Sequence, residues 1–241
     1  MVYALDPSPD AGGLRFEVAA IRPSGAADAS SSGISTGHGL LHGDNVTLER
    51  CIIGAYGVGP QQVVGGPDWI ATDRWDIRAK AGTADAGDHV LDLMLQSLLA
   101  DRFRLALHRD TRTMSAYVLE VDAKGPKMEK AEQGESVTNA HTISGDHPRV
   151  TIDVRNTGMD MFAQILSRSM DLPVVNQTCL QGIYNFTLSW TPDNLRAAGQ
   201  SSADDVTIFT AIREQLGMKL RAAKAPVEVL VVDHAEKPSE N

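Results

Sequence analysis

Apolar residues recur at helical spacing in four separate stretches of the chain. Their members are Leu48, Ile52, Ile53 and Tyr56; Leu91, Met94, Leu95, Leu98 and Leu99; Met159, Phe162, Ile165 and Leu166; and Ile208, Phe209, Ile212 and Leu216. This spacing predicts helices over residues 48–56, 91–99, 159–170 and 206–216. Gly57 and Gly217 follow two of these stretches and predict their ends, because glycine readily adopts the left-handed conformation that closes a helix.

Short apolar runs between the predicted helices predict strands. They fall at residues 16–21, 63–65, 73–77, 103–108, 116–121, 173–175, 182–186, 219–221 and 227–233. The last of these is rich in β-branched residues, which favours a central strand. Residues 24–37 are rich in Ser, Gly and Ala, and residues 124–148 and 192–205 are polar, so these three stretches predict loops.

The predicted elements recur in the same order in two parts of the chain, 45–121 and 156–233. Each part opens on an asparagine, Asn45 or Asn156, that is placed to cap the first helix, with Thr47 as the alternative cap in the first part. The repetition predicts an internal duplication. The expected fold is therefore α+β, with two related halves that each pack two helices on a small, mostly antiparallel sheet.

The same patterns divide the chain into five segments. We expect a disordered N-terminal segment at 1–13, a first half at 14–123, a linker at 124–148, a second half at 149–238 and a tail at 239–241. The opening segment has no basic region followed by an apolar core, so it does not resemble a signal peptide. The protein is then either cytoplasmic or an exported protein whose signal has been removed.

Composition excludes several partners. Lys and Arg number 22 against 31 Asp and Glu, which gives a net charge of −9. An acidic chain is a poor ligand for nucleic acid or for anionic lipid, because both require a basic surface. No apolar run approaches the ~20 residues that a membrane-spanning helix needs. Cys51 and Cys179 have no metal-ligand spacing, so we expect two free thiols, with a disulfide between them as the alternative for an exported protein.

Two groups of residues are candidate metal ligands. His38, His42 and Asp44 form an H-x3-H-x-D pattern, and two imidazoles with one carboxylate suit zinc. On an extended strand the two histidines would lie ~13 Å apart, too far for one ion, so such a site requires a loop conformation. The alternative is a pair of surface histidines in a glycine-rich loop.

The second group surrounds the start of a predicted helix. His89 has Asp85, Asp88 and Asp92 near it in sequence, and clustered carboxylates suit calcium. Acidic residues at the start of a helix are also expected from the helix dipole alone. We therefore expect no cofactor, with zinc or calcium as the alternative.

A basic row and a tryptophan are candidate ligand-binding residues. Arg102, Arg104 and His108 alternate along one face of the strand predicted at 103–108 and would bind a carboxylate or a phosphate. The alternative is a solvated sheet face, or pairing with neighbouring acids such as Glu120. Trp69 follows a glycine-rich turn that would present it to a sugar or an acyl chain, with core packing as the alternative. No serine-hydrolase elbow, zinc-protease motif, phosphate-binding loop or dinucleotide fingerprint is present, so the sequence identifies no catalytic residue.

Several motifs together resemble an uncharacterised bacterial family of soil-associated proteins that is numerous in acidobacteria. The motifs are Phe16-Glu17-Val18-Ala19 with Arg22-Pro23, Asn45-Val46-Thr47-Leu48, Ala55-Tyr56-Gly57-Val58, Gly65-Gly66-Pro67-Asp68-Trp69, Leu98-Leu99-Ala100-Asp101-Arg102-Phe103, Lys224-Ala225-Pro226-Val227 and Val232-Asp233-His234-Ala235-Glu236-Lys237-Pro238. The resemblance implies an exported protein, and related domains fused to BlaR-type membrane metallopeptidases imply sensing or binding. Each half is also similar in topology to the short N-terminal domain of secretins and TonB receptors. Cys179 stands where such proteins commonly have glycine.

Three hypotheses about function follow. The first is an extracytoplasmic binding or sensing module whose partner is a small molecule, a glycan or a protein. The second is a metal-dependent hydrolase of esters or lactones, such as N-acyl-homoserine lactones, at His38, His42 and Asp44. The third is an assembly adaptor of the secretin type, which rests on topology alone.

Overall fold

A computed structural model describes residues 13–25, 32–143, 149–192 and 206–238. The predicted segment 1–13, except for its last residue, and the tail 239–241 lie outside the described residues, as does nearly all of the predicted loop 192–205. In chain order the elements are β1 (Val18–Pro23), β2 (Gly33–Gly37), β3 (Leu40–Thr47), α1 (Leu48–Tyr56), β4 (Val63–Gly65), α2 (Trp69–Thr72), β5 (Arg74–Lys80), α3 (Asp88–Arg102), β6 (Ala106–Val121), β7 (Glu129–Ala131), β8 (Val137–Ile143), β9 (Arg149–Thr157), α4 (Met159–Ser169), β10 (Val174–Asn176), β11 (Ile183–Trp190), α5 (Ile208–Leu216) and β12 (Met218–His234).

The chain forms two compact units, and each is assembled from separate segments of the sequence. The first unit comprises residues 1–112, 167–171 and 226–241, and the second comprises 113–166 and 172–225. The mixture of helices and mostly antiparallel sheets confirms the predicted α+β class. The expected halves 14–123 and 149–238 differ from these units and stay a prediction about the sequence.

An antiparallel sheet in the order β1-β5-β3-β2 forms one layer of the first unit. Its inner face contributes Ile21, Leu41 and Ile77 to the core, because alternate residues of a strand share a face. The β3–β5 register shifts between Gly43 and Val46. At this bulge Asn45 adopts φ 53°.

Two helices pack against that core. Thr47 caps α1 by accepting a hydrogen bond from the Arg50 N–H, and Gly57 closes the helix at φ 66°. The alternative cap is thus confirmed, and the prediction that Asn45 caps the helix is wrong, because Asn45 belongs to the strand bulge. α3 buries Leu91, Leu95 and Leu99 completely or nearly so, as its apolar spacing predicts.

The first unit also contains a parallel strand pair. Val63, Val64 and Gly65 of β4 pair with Leu230, Val231 and Val232 of β12. The Leu230 and Val232 side chains join the core of this unit. Strand β12 lies between β4 and β6, as expected for a strand with so many β-branched residues.

The second unit repeats this combination of antiparallel and parallel pairing. Its antiparallel sheet has the order β7-β11-β9-β8, and Phe162 of α4 packs edge-to-face on Phe186 of β11 at 4.8 Å. β10 pairs in parallel with β6, with Val174 opposite Tyr117. α5 ends at Gly217, which has φ 67° as predicted.

Four predicted local features are wrong. The strands predicted at 103–108 and 116–121 are one strand, β6, and those at 219–221 and 227–233 are one strand, β12. The predicted loop at 124–148 contains β7 and β8, and the loop at 24–37 contains β2. These stretches are mostly exposed, so they lack the apolar alternation by which strands are recognised. Within the described residues, no helix is long and apolar enough to cross a membrane.

Candidate functional site

The proposed zinc ligands lie at the β2–β3 turn and along β3. His38 occupies the turn with φ 50°, whereas His42 and Asp44 are exposed on β3. Asp44 pairs with Arg78 of β5. Over the described ranges, no group of three His, Cys, Asp or Glu side chains is close enough to hold a metal ion. The three proposed ligands, His38, His42 and Asp44, are therefore not brought together, because an extended strand separates residues along its length by about 3.3 Å each.

The acidic residues around His89 are also dispersed. Asp85 and His89 are exposed, and Asp88 accepts a hydrogen bond from the Thr36 hydroxyl at 2.7 Å. Asp92 is half-buried on α3. Burial raises the pKa of Asp92 from 3.8 to about 6, while nearby Arg168 opposes that shift and Asp88 reinforces it. This group therefore contains one carboxyl that protonates in mildly acidic solution.

The predicted basic row does not lie on one strand. Arg102 is the last residue of α3, Arg104 follows with φ 49°, and only His108 belongs to β6. His108 pairs with Asp233 through Nδ1, at 2.8 Å. Arg102 donates to the Ala19 carbonyl at 3.5 Å. The prediction is wrong because the helix continues three residues beyond its apolar pattern.

Trp69 is half-buried at the start of α2 rather than displayed. Its ring stacks on Phe103 with a centroid distance of 6.4 Å, and Trp75 meets the same Phe103 ring edge-to-face at 5.5 Å. The Lys237 ammonium lies 5.8 Å from the Trp69 centroid. These contacts make Trp69 part of the margin of the core, in agreement with the alternative of core packing.

A pocket in the second unit was not expected from the sequence. It lies beside the C-terminal end of α5, has a volume of about 760 Å³, and is lined in part by Lys124, Lys127, Phe209, Arg213 and Lys219. Small-molecule sites commonly have volumes of about 300–1,000 Å³. We refer to this feature as the α5 pocket.

Backbone contacts at the end of α5 build the pocket floor. The Gly217 carbonyl accepts from the Asp122 N–H, and the Leu216 carbonyl accepts from the Lys127 N–H, both at 2.9 Å. A Cβ atom at Gly217 would lie 2.1 Å from the Gly125 carbonyl oxygen, so only glycine permits this approach. The Lys127 ammonium donates to the Glu214 carbonyl at 2.6 Å, a favourable contact because the helix C-terminus is negative.

Charged side chains surround the opening. Arg213 Nε donates to the Asp122 carboxylate at 3.0 Å. The Ala123 N–H and then Arg213 hold the pKa of Asp122 below its usual value. The Lys219 Nζ atom lies 3.2 Å from Oε2 of Glu120. Lys124, Lys127, Arg213 and Lys219 outnumber the two lining carboxylates, Asp122 and Glu214, so the pocket is locally cationic in an acidic protein.

An apolar surface completes the lining. Phe209 is 38% exposed although it is aromatic, and its ring meets Tyr117 edge-to-face at 5.1 Å. Half-buried Leu220 also contributes. The pocket therefore offers cationic donors beside an aromatic ring, which suits a ligand that joins an anionic group to a short apolar part.

The pocket was missed because its residues come from three predicted elements with other roles. Lys124 and Lys127 fell in a predicted linker, Phe209 was counted in the apolar face of a helix, and Lys219 fell in a strand. The exposure of Phe209 is not visible in the helical spacing.

Both cysteines are free thiols, Cys51 buried and Cys179 exposed, in agreement with the expectation.

No curated protein and no solved structure is significantly similar to this chain. A family model described as a protein of unknown function, DUF3738, matches residues 49–235. That match covers most of the chain, including parts of both units and the α5 pocket, and it agrees with the resemblance to an uncharacterised family. The chain belongs to the DUF3738 family.

Proposed function

We propose that the protein is a binding module whose α5 pocket takes a small anionic molecule with a short apolar part. The observation that supports this is the excess of cationic over acidic side chains around a pocket of suitable volume, in a chain whose net charge is −9. An exposed aromatic ring beside such donors is a recurrent feature of ligand sites.

The chemistry of the lining favours a carboxylate. Only the Nε atom of Arg213 is engaged with Asp122 in the described contacts, and the Arg213 side chain is 69% exposed. The guanidinium group can therefore receive a carboxylate through its terminal nitrogens. Charged hydrogen bonds contribute about 1.5–3 kcal/mol each, so two such bonds with apolar contact give a ligand affinity in the micromolar to millimolar range.

Isothermal titration with a matched series tests this function. Hexanoate and benzoate are expected to bind, whereas hexanol, benzamide and hexylamine are expected not to bind. Arg213→Gln should weaken carboxylate binding at least tenfold. Arg155→Gln, which removes an exposed arginine from β9, serves as the control and should leave binding unchanged. Equal binding of hexanol and hexanoate, or full binding by Arg213→Gln, would refute the assignment.

The extracytoplasmic location and the sensing role belong to the same proposal and rest on the resemblance described above. Fractionation of cells that produce the tagged natural gene product tests the location. The alternative function, a metal-dependent hydrolase of esters or lactones with zinc or calcium, is tested by elemental analysis of purified protein and by turnover that EDTA abolishes. The adaptor hypothesis is tested by co-purification with a secretin-type assembly.

We also propose that the two parts of the sequence arose by duplication. Asn45 and Asn156 both have left-handed conformations, with φ 53° and 51°. The Asn45 N–H donates to Asp76 Oδ1 and the Asn156 N–H donates to Asn185 Oδ1, both at 2.9 Å and at sequence separations of 31 and 29 residues. Two such bonds at equivalent bulges are a specific coincidence, because non-glycine residues seldom adopt positive φ.

The strands that follow agree with this proposal. Each asparagine precedes a helix, and each helix precedes a three-residue strand that pairs in parallel with a long strand, β4 with β12 and β10 with β6. In each case the long strand comes from the other part of the sequence. Two further proposals rest on the resemblance alone. One is that the family is numerous in acidobacteria, and the other is that each half is similar in topology to the secretin domains.

A further inference from the structure

Strand β8 is an outer strand of the second unit, and it lacks the features that usually protect a sheet edge. It pairs with β9 on one side and is the last strand of its sheet in the described part of the chain. Its sequence, VTNAHTI, has no Lys, Arg, Asp, Glu or Pro. Natural edges are usually blunted by such residues or by shortness. By contrast, β1 ends in Arg22 and Pro23, and β7 has three residues, two of them charged.

Both faces of β8 are accessible. All six residues from Val137 to Thr142 are exposed, and Val137 retains 41% of its accessible surface. Residues of a strand alternate between faces, so neither face is covered in the described residues. A neutral, seven-residue strand exposed on both faces is a ready template for pairing with another strand.

The β8 sequence is complementary to itself in antiparallel orientation. With Ala140 on a two-fold axis, Val137 lies opposite Ile143, Thr138 opposite Thr142 and Asn139 opposite His141. Threonine then faces threonine, which is a stabilising cross-strand pair. A shift of one residue turns every side chain to the other face and removes these matches.

Charge favours a second copy at this edge as well. The protein carries a net charge of −9, so two copies meet with least repulsion where the surface is neutral. The nearest charged strand residues, Arg149, Asp153 and Arg155, lie on β9. In a paired arrangement the two β9 strands would be about 14 Å apart, three strand spacings, which exceeds the ~8–10 Å over which salt leaves charges interacting.

We propose that two copies of this protein associate through β8, in antiparallel register about Ala140, to form one continuous eight-stranded sheet. The contact involves one strand from each copy and is small, so the dimer is weak and concentration-dependent. This inference is independent of the ligand proposed for the α5 pocket.

Sedimentation velocity between 5 and 500 µM tests the association. The full chain is expected to pass from monomer to dimer over this range. Ala140→Glu places two glutamates directly opposite each other, with Cα atoms about 4.5–5.5 Å apart, and the repulsion between their carboxylates should raise the dissociation constant at least tenfold. Ala140→Thr, a neutral strand-forming substitution at the same position, should still dimerise. Circular dichroism of both variants confirms that each is folded.

Disulfide trapping tests the register without relying on the stability of Ala140→Glu. In a Cys179→Ser background, Ala140→Cys should cross-link to itself under mild oxidation, because directly opposed residues meet the Cα distance of a disulfide. Thr138→Cys should not cross-link to itself, since the two copies of residue 138 would be ~13 Å apart, but it should cross-link to Thr142→Cys. A monomer at 500 µM, a dimer that Ala140→Glu leaves intact, or equal self-cross-linking at positions 138 and 140 would overturn the proposal.

Discussion

Replacing Asp92 with asparagine is expected to stabilise the protein at neutral pH. Burial on α3 raises the pKa of Asp92 from 3.8 to about 6, despite the opposing charges of Arg168 and His89. The folded protein therefore binds this proton more tightly than the unfolded chain does. Between about pH 4 and pH 6 the free energy of unfolding falls as the pH rises, and above pH 6 the ionised carboxylate imposes its full cost.

The size of the effect follows from the pKa change. A difference of about two units corresponds to about 3 kcal/mol. Because Asp92 is only half-buried, solvent screening reduces this to about 1–2 kcal/mol. Asparagine has the shape of the neutral acid, so Asp92→Asn should be more stable by that amount at pH 7.5 and equal to the wild type near pH 4.

Urea unfolding monitored by circular dichroism at pH 4, 5, 6 and 7.5 measures this difference. Asp85→Asn is the matched control, since it removes an exposed aspartate shortly before α3 and should give no such trend with pH. If Asp92→Asn is less stable than the wild type at pH 7.5, the carboxylate stabilises the fold through Arg168, and the dominance of burial is refuted.

Three further outcomes are expected. Asp76→Ala and Asn185→Ala should each lower the free energy of unfolding by about 1–3 kcal/mol in urea titrations. Each substitution leaves the backbone N–H of a left-handed asparagine without its acceptor. An unchanged urea midpoint for either variant would contradict the role of that bond. A thiol reagent should modify exposed Cys179 in the native protein and Cys51 only after denaturation, since burial raises the pKa of Cys51 to about 12. Rapid labelling of both thiols in the native protein would contradict the burial of Cys51. Leu230→Ala should cost about 2–5 kcal/mol, because Leu230 is fully buried; a loss below 1 kcal/mol would disprove its place in the core.

The apolar helices could be predicted from the sequence, because the spacing of their buried residues is unambiguous. α1 ends at Tyr56 and α5 ends at Leu216, each followed by a left-handed glycine as predicted. The short strands β4 and β10 also lie where β-branched pairs indicated them. Such elements bury one face and have a recognisable boundary residue, so local sequence determines them.

The long strands and the α5 pocket could not be predicted, because no local pattern specifies them. The middle of β6, from Arg109 to Thr113, is exposed and is polar throughout, so the strand was divided in two. β8 is exposed on both faces, and its polar sequence predicts a loop. The pocket depends on Lys127 and Arg213 coming together across a long sequence separation, which only the tertiary fold decides.

The parallel pairing of β4 with β12 has a consequence for how the protein is made. Val63 leaves the ribosome early, but its partner Leu230 is synthesised about 170 residues later, which takes on the order of ten seconds or more at ~5–20 residues per second. The first unit therefore cannot close its core before Leu230 has been synthesised. Nascent chains that stop short of Leu230 should therefore remain sensitive to protease, because β4 then has no partner strand and the core lacks Leu230 and Val232.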